Sequence, residues 1–393
     1  MTHQIIASKD KRTVFLIPQS VLKPFCSANS NTERRGDIVP VIMESNSSIS
    51  SVITSAVPNI TICPLSPVNM HIYSLVLTQN VILAKNIVFP LQILLGVFGN
   101  VMTIIIVCRF RAASSSSAMD PYFMVLAVTD LCVVITGLFL IWIPSAMGFY
   151  IERTHGVVCK SLIFVSNAGA ASSAWILVAM TTQRAVSVAW PHRVNVLCTR
   201  RRSWWIILTI VVFFCLVYSH MLYGFGIFPS KGHACTLVSR SYELFFRNVW
   251  LKIDMFLYSL LPFAWLFLSN SVLVLKLRRS VKDAGNELTT TDTQQASREK
   301  NANSVTLTAI VVSLVFVVLT SPMAFYNFFT FVSPIANRTD VNNNYLAFHI
   351  FLNDVFYMLL YFNYSVNFYL YCLTGERFRR ELREIMCGCV VQS

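Results

Sequence analysis

Apolar residues in this chain gather into seven blocks separated by short polar segments, at roughly 82–108, 121–143, 157–183, 204–227, 249–275, 305–332 and 346–372. Each block reaches the ~20 residues that a helix needs to cross the hydrocarbon core of a bilayer. The pattern therefore predicts an all-α, seven-transmembrane helix bundle. Residues 1–81 differ: they are rich in Ser, Asn and Thr, carry no sustained apolar period and read as a largely disordered tail. The stretch from Val14 to Phe25 is interrupted by Pro18, Lys23 and Pro24, which breaks any leader-like apolar core, so the first span is expected to act as its own insertion signal. After the bundle at 82–373, the segment 374–393 opens with an amphipathic stretch, Glu376 to Met386. There Phe378, Leu382 and Ile385 form one stripe, while Arg379, Arg380 and Arg383 lie off it. Such a sequence predicts a short eighth helix lying in the membrane interface.

Composition agrees, with 55% hydrophobic residues against 12% charged, where soluble domains average about 25% charged. A net charge of +13 would suggest nucleic-acid binding in a soluble protein. Here the basic residues follow topology instead, and no nucleic-acid partner is expected. Seventeen of the 31 Lys and Arg residues flank the ends of spans one, three, five and seven: Arg109 and Arg111; Arg184, Arg193 and Arg200 to Arg202; Lys276, Arg278, Arg279, Lys282, Arg298 and Lys300; Arg377, Arg379, Arg380 and Arg383. The alternate segments hold only Arg153, Lys160, Lys231, Arg240, Arg247, Lys252 and Arg338. Basic flanks are retained on the cytoplasmic side, which puts the long tail outside and the carboxyl end inside. The glycosylation sequons at Asn46, Asn59 and Asn337 all fall on the side this charge bias makes extracellular.

Of the eleven cysteines, Cys108, Cys132, Cys215 and Cys372 sit within spans, where an unpaired Cys serves as a small apolar residue. Cys159 opens span three and Cys235 lies in the loop between spans four and five, both on the oxidising side, so a disulfide pinning that loop to span three is expected. A second bridge between Cys26 and Cys63 in the tail stays open. Cys387 and Cys389 follow the amphipathic stretch and are candidate palmitoylation sites, with unmodified thiols the alternative.

An ionisable residue inside a span marks function or a buried polar network, and Asp130 sits mid-span in LAVTDL. Asn363 and Asn367 lie four apart on one face of span seven, and Ser173 lies near the middle of span three. Add Gly99-Asn100, Cys159, Cys235, Pro262, Pro322, and Asn367 to Tyr371 followed by Phe378, and the order resembles rhodopsin-like (class A) G-protein-coupled receptors over about 82–389. The run from Asn363 to Arg379, NYSVNFYLYCLTGERFR, is similar to invertebrate neuropeptide (FMRFamide-type) receptors. The resemblance implies a polar network of Asn100, Asp130, Ser173, Asn363 and Asn367 that binds a sodium ion, a hard cation suited to oxygen donors. A sodium-free hydrogen-bonded network is the alternative, and no other cofactor is implied. It also implies that Arg184, 25 residues after Cys159, contacts the G protein. Gln183 stands where the family carries an acid, so its neutral bond implies a weaker restraint and raised basal signalling. Pro262 and Pro322 match helix bends, Phe316 the aromatic switch, and Tyr371 the retained Tyr of span seven. The chain departs from the pattern at Leu319-Thr320-Ser321, where a Cys-Trp pair usually precedes Pro322, at Asn367-Phe368 in place of Asn-Pro, and at Asn270 in place of Tyr.

The same resemblance places a ligand cavity at the outer halves of spans three, five, six and seven. Ser166 occupies the position where amine receptors carry an Asp, and span seven has no Lys for a Schiff base. The remaining residues, Asp254, Tyr326, Asn327 and Asp354, suit a peptide, whose arginine would pair with a partly desolvated carboxylate. The alternatives are local pairing of Asp254 with Lys252 and an exposed helix-end role for Asp354. The expected function is a plasma-membrane receptor for an extracellular neuropeptide, signalling to heterotrimeric G proteins and bathed by membrane lipid. The rivals are a receptor for a lipid or odorant, or a transporter or channel. Transporters commonly show internal repeats and paired broken helices, which the sequence lacks. No phosphate loop or nucleophile set supports an enzyme.

Overall fold

The computed structural model describes residues 3–7, 14–18, 66–112, 117–228, 234–286, 293–332 and 343–387. The sequons at Asn46, Asn59 and Asn337, together with Cys26, Cys63 and Cys389, lie outside them. Two compact units divide the chain, Met1–Leu75 and Val76–Ser393. In the first, β1 (His3–Ala7) pairs antiparallel with β2 (Val14–Pro18), Ile5 opposite Leu16. Regular structure therefore enters the segment expected to lack it, because VFLIP is a short apolar run of strand-favouring residues. The first helix also begins earlier than its apolar block, at Ser66.

The second unit is a helix bundle. Its elements are α1 (Ser66–Ala112, from its first-unit start), α2 (Asp120–Met147), α3 (Gly156–Ala189), α4 (Arg200–Gly224), α5 (Arg240–Lys276, running on to Asn286), α6 (Thr293–Val332), α7 (Asn343–Thr374) and α8 (Glu376–Cys387). Local chemistry sets several boundaries. Asp120 and Pro121 open α2, with Pro at a position where no helix N–H is needed, and Asp120 accepts from the Ser117 N–H at 2.7 Å, which fixes the turn leading into the helix. Ser239 caps α5 by accepting from the Tyr242 N–H at 3.1 Å, and α2 stops at Gly148, whose φ of 65° is left-handed.

Among the described residues six helices, α1 to α6, are long and apolar enough to cross a membrane. The seventh, α7, is diluted by six tyrosines and by Asp354, Asn363 and Asn367. Tyr361, Tyr364, Tyr371, Asp354, Asn363 and Asn367 are buried, so α7 turns this polar set into the bundle. The opposite burden falls on the bundle surface, where Phe267, Phe325 and Leu373 are more than 70% exposed. That outward apolar surface is what lipid solvates.

Packing of α1 on α7 depends on two small residues one turn apart. A Cβ at Gly96 would stand 2.8 Å from Ser365 Oγ, and one at Gly99 would stand 3.0 Å from Phe368 Cβ. Phe368 occupies the place where the family pattern has proline. It is buried and meets Phe98 edge to face at 6.1 Å. Aromatic packing on α1 therefore replaces the proline, and α7 runs unbroken from Asn343 to Thr374.

Two π segments, Phe246–Trp250 and Phe256–Leu260, interrupt α5. The second ends just before Pro262, which has no N–H to offer the Leu257 carbonyl five residues back. The indole of Trp175 on α3 donates to that carbonyl at 2.8 Å. A backbone defect written by one proline thus becomes a tie between α3 and α5.

Candidate functional site

At one end of the bundle, β3 (Phe225–Phe228) and β4 (Ala234–Leu237) form a hairpin in which Ile227 opposes Cys235. Cys235 is bonded to Cys159 in the first turn of α3, across 76 residues of sequence. The expected disulfide is present. The other end carries the basic ends of α3 and α5 and the α7–α8 junction.

Between these ends runs a buried polar core. Ser173 donates to Asp130 Oδ1 at 2.5 Å, and Asn367 Nδ2 donates to Oδ2 at 2.7 Å. Asp130 is fully buried, so these bonds offset the cost of removing it from water. Asn100 donates to the Tyr364 carbonyl at 2.9 Å, joining α1 to α7, and Asn363 is buried one turn before Asn367. The structure therefore brings Asp130, Ser173 and Asn367 into direct contact. The side chains of Asp130, Ser173, Asn363 and Asn367 carry only oxygen and amide groups. No group of three His, Cys, Asp or Glu comes together among the described residues. The donor chemistry at Asp130 fits a hard cation.

Toward the basic end, Gln183 carries more than the sequence suggested. Its Oε1 accepts from Tyr122 at 2.9 Å and from Ser203 at 3.1 Å, while Nε2 donates to the Ala118 carbonyl at 3.3 Å. The neutral amide joins α2, α3 and α4, a task for which having both donor and acceptor matters. Arg184 follows it, half-buried, on the next α3 position. Restraint on α6 is supplied elsewhere. Ser304 donates to the Thr374 carbonyl at 2.8 Å and accepts from the Glu376 N–H at 3.3 Å, and Thr374 donates to Thr308 Oγ1 at 2.8 Å. Higher on α6, Phe316 is buried edge to face with Phe263 at 6.0 Å, next to Pro262. Ser313 donates to Asn270 at 2.9 Å, which gives Asn270 a partner on α6.

Tyr371 is buried among aromatics, 4.9 Å from Phe123 and 5.2 Å from Phe378. Its hydroxyl has no hydrogen-bond partner among the described residues. Phe378, with Leu382 and Ile385 beside it, docks α8 on this cluster, as the amphipathic stripe predicts. Two ion pairs that sequence reading counted only as topogenic charge fix the same helix. Arg377 bonds the buried Asp120 at 2.9 Å and stacks 3.4 Å from the Phe110 ring centre, and Arg109 bonds Glu381 at 3.3 Å. Cys387 is the last residue of α8.

The residues expected to meet ligand divide. Asp254 accepts a short hydrogen bond from Tyr218 on α4. Asp354 is not an exposed helix-end acid: it is buried and pairs with Lys85 of α1 at 2.8 Å. Tyr357 lies within electrostatic reach of both carboxylates, so they border one region. Tyr326 donates to the His349 carbonyl at 3.2 Å and packs on Phe356. Ser166 Oγ and the Tyr361 hydroxyl both border Gly137, within 3 Å of where a Cβ would stand there. Asn327, by contrast, is exposed. Sequence reading missed Lys85 and the bridge between Tyr258 and Tyr364, whose hydroxyls meet at 2.6 Å across the core. A lysine within the apolar run VILAKNIVF was the available signal, because such a charge demands a partner.

A family model for seven-transmembrane receptors of the rhodopsin family matches residues 99–371. The chain belongs to that family; it is a multi-pass membrane receptor and not an enzyme. Among its relatives, Sex peptide receptor-related protein 2 of Caenorhabditis elegans is 22% identical, covering 76% of this chain and 70% of the relative. The thyrotropin-releasing hormone receptor of Ovis aries is 24% identical, with 75% of each chain covered. The FMRFamide receptor of Drosophila melanogaster is 24% identical over 73% of this chain and 50% of its own length.

Proposed function

We propose that this receptor lies in the plasma membrane with its disulfide end outward, binds an extracellular peptide there and activates a heterotrimeric G protein at its basic end. The observation that carries the ligand reading is the pair of carboxylates, half-buried Asp254 and buried Asp354, both within electrostatic reach of Tyr357. Relatives named for peptide ligands, the FMRFamide and thyrotropin-releasing hormone receptors, support it. Asp254 is the better partner for a peptide cation, because Lys85 already neutralises Asp354. Exchanging Tyr218 for a ligand guanidinium replaces a neutral donor by a charged one. Asp254→Asn is expected to reduce the potency of an arginine-containing amidated peptide by at least about tenfold, with surface expression retained. Unaltered potency removes Asp254 from the ligand site.

Sodium is proposed at Asp130, with Ser173, Asn363 and Asn367 as the oxygen-bearing neighbours that would hold it. The ion would offset the buried carboxylate's charge. Glycans at Asn46, Asn59 and Asn337, and palmitate at Cys387 and Cys389, complete the proposed outer and inner decoration.

Activation is proposed to free the basic end of α6, exposing Arg184 to the G protein. Gln183 is committed to α2 and α4, which leaves the Ser304–Thr308–Thr374 hydroxyl latch as the resting restraint. Thr308→Val keeps the side-chain shape and removes the hydroxyl. It is expected to raise ligand-independent G-protein dissociation by roughly three- to tenfold, the equivalent of about 1 kcal/mol for one hydrogen bond. A variant with wild-type basal activity would show that the latch does not hold the resting state.

A further inference from the structure

The arginines at the basic end of the bundle are not alike. Arg377 and Arg109 are tied to Asp120 and Glu381, and Arg379 donates to the Cys372 and Leu373 carbonyls. The run Arg200-Arg201-Arg202 in the first turn of α4 is different. None of its three guanidinium groups has an ion pair or a hydrogen bond among the described residues. No Asp or Glu occurs between Glu152 and Glu243, so neither α4 nor the segment leading into it supplies a counter-charge. The run also works against its own helix. Like charges repel, and the first turn is the end that the helix dipole makes positive. Capping is left to Thr199, which accepts from the Arg202 N–H at 3.4 Å.

The residues that follow show what the run faces. Ser203 and Ile207 are buried and turn toward the bundle. Arg201, Trp205, Leu208 and Val212 recur at helical spacing on another side, all of them exposed, with Trp205 at 60%. Trp204 is exposed beside them. Along this face guanidinium gives way to indole within one turn and then to aliphatic side chains. A leaflet has the same order: phosphates, then the level where interfacial tryptophans sit, then acyl chains.

The partner must therefore be anionic, carry several charges and lie in lipid. A headgroup with one acidic group would meet one guanidinium and leave the others. A headgroup with several phosphates meets the run as a set, because each guanidinium offers a phosphate two parallel N–H bonds, and the indole N–H groups add neutral donors. An acidic protein segment would match the charge but not the apolar face that continues from it. We infer that Arg200, Arg201 and Arg202, with Trp204 and Trp205, form a docking surface for a phospholipid whose headgroup carries several phosphates. The inference rests on the membrane placement proposed above. Nanodiscs present the same lipid on both faces, so an error in orientation leaves its test intact.

The test compares the full-length receptor in nanodiscs of phosphatidylcholine alone, with phosphatidylserine, or with phosphatidylinositol bisphosphate at matched total charge. Retained lipid is counted by native mass spectrometry, and unfolding midpoints are recorded in each disc. The bisphosphate lipid is expected to be retained roughly tenfold more than phosphatidylserine and to raise the midpoint. Replacing the run by Arg200→Gln, Arg201→Gln and Arg202→Gln should remove both effects, while its midpoint in phosphatidylcholine stays at or above that of the wild type. Arg380→Gln with Arg383→Gln on α8 should leave them in place. If the triple variant does not fold, the three Arg→Lys replacements, which keep charge and lose the paired N–H geometry, should reduce the preference for the bisphosphate lipid. Equal retention of both acidic lipids, undiminished retention in the folded variants, or an equal loss in the α8 pair would overturn the assignment. So would equally tight binding of soluble inositol trisphosphate, which would mark a headgroup site that needs no membrane.

Discussion

Cys159→Ser is expected to abolish high-affinity ligand binding and to lower the receptor's thermal stability sharply. The bridge closes a loop across 76 residues of sequence. Loop-closure entropy for that length corresponds to about 4.5 kcal/mol, a large share of a typical protein's total stability. The functional loss has a separate cause. Cys235 lies in β4, so the bond ties the hairpin to the first turn of α3, at the end of the bundle where the peptide is proposed to bind. Without the bond that hairpin keeps its own ladder and the packing of Phe225 on Tyr242 and Phe246. Thermal unfolding in nanodiscs and saturation binding of a labelled peptide check the two effects independently. Cys235→Ser must reproduce both, since either substitution removes the same bond. A Cys159→Ser receptor with wild-type melting and binding would mean that the bridge is structurally idle.

The next largest effect is expected at Asp130. Asp130→Ala leaves the Ser173 hydroxyl and the Asn367 amide without their acceptor in a buried site. Each stranded donor costs about 1–3 kcal/mol, so a loss of about 2–6 kcal/mol follows if no water enters. Asp130→Asn keeps the volume and one acceptor oxygen, so it strands one donor where the Ala variant strands two, and should cost about 1–3 kcal/mol on the same reckoning. The separation between the two variants is the informative quantity. Equal destabilisation would show that the site responds to lost volume or charge alone. The Asn variant also addresses the proposed ion: sodium should shift agonist affinity in the wild type and leave the variant unmoved.

Much of this architecture is legible in the sequence because lipid imposes a simple rule on it. Every crossing segment must hide its backbone, and runs of apolar residues announce where that happens. The disulfide, the Asp130 network and the α8 stripe were readable for a related reason: each couples an unusual residue type to a fixed place in a helix. What escaped notice depends on rotation and approach between helices, which no single segment encodes. Gln183 reads as a weakened acid until Tyr122 and Ser203, from two other helices, are seen on its amide. Asp120 and Arg377 are ordinary flanking charges until α8 folds back over Phe110. Asp354 reads equally as a ligand contact or as an exposed acid, and Lys85, 269 residues earlier, decides against exposure. The helix starts also moved: α1 begins at Ser66, and α5 continues beyond its apolar core into a turn that Ser239 caps.

The most direct measurement is G-protein dissociation in cells expressing the full chain, first without ligand and then against a panel of amidated peptides, amines and lipids, beside Arg184→Ala. A concentration-dependent response to an amidated peptide that disappears in Arg184→Ala, with both proteins equally present at the surface, is the predicted result. Silence to every amidated peptide with no basal signal, or a response that survives Arg184→Ala undiminished, would contradict it.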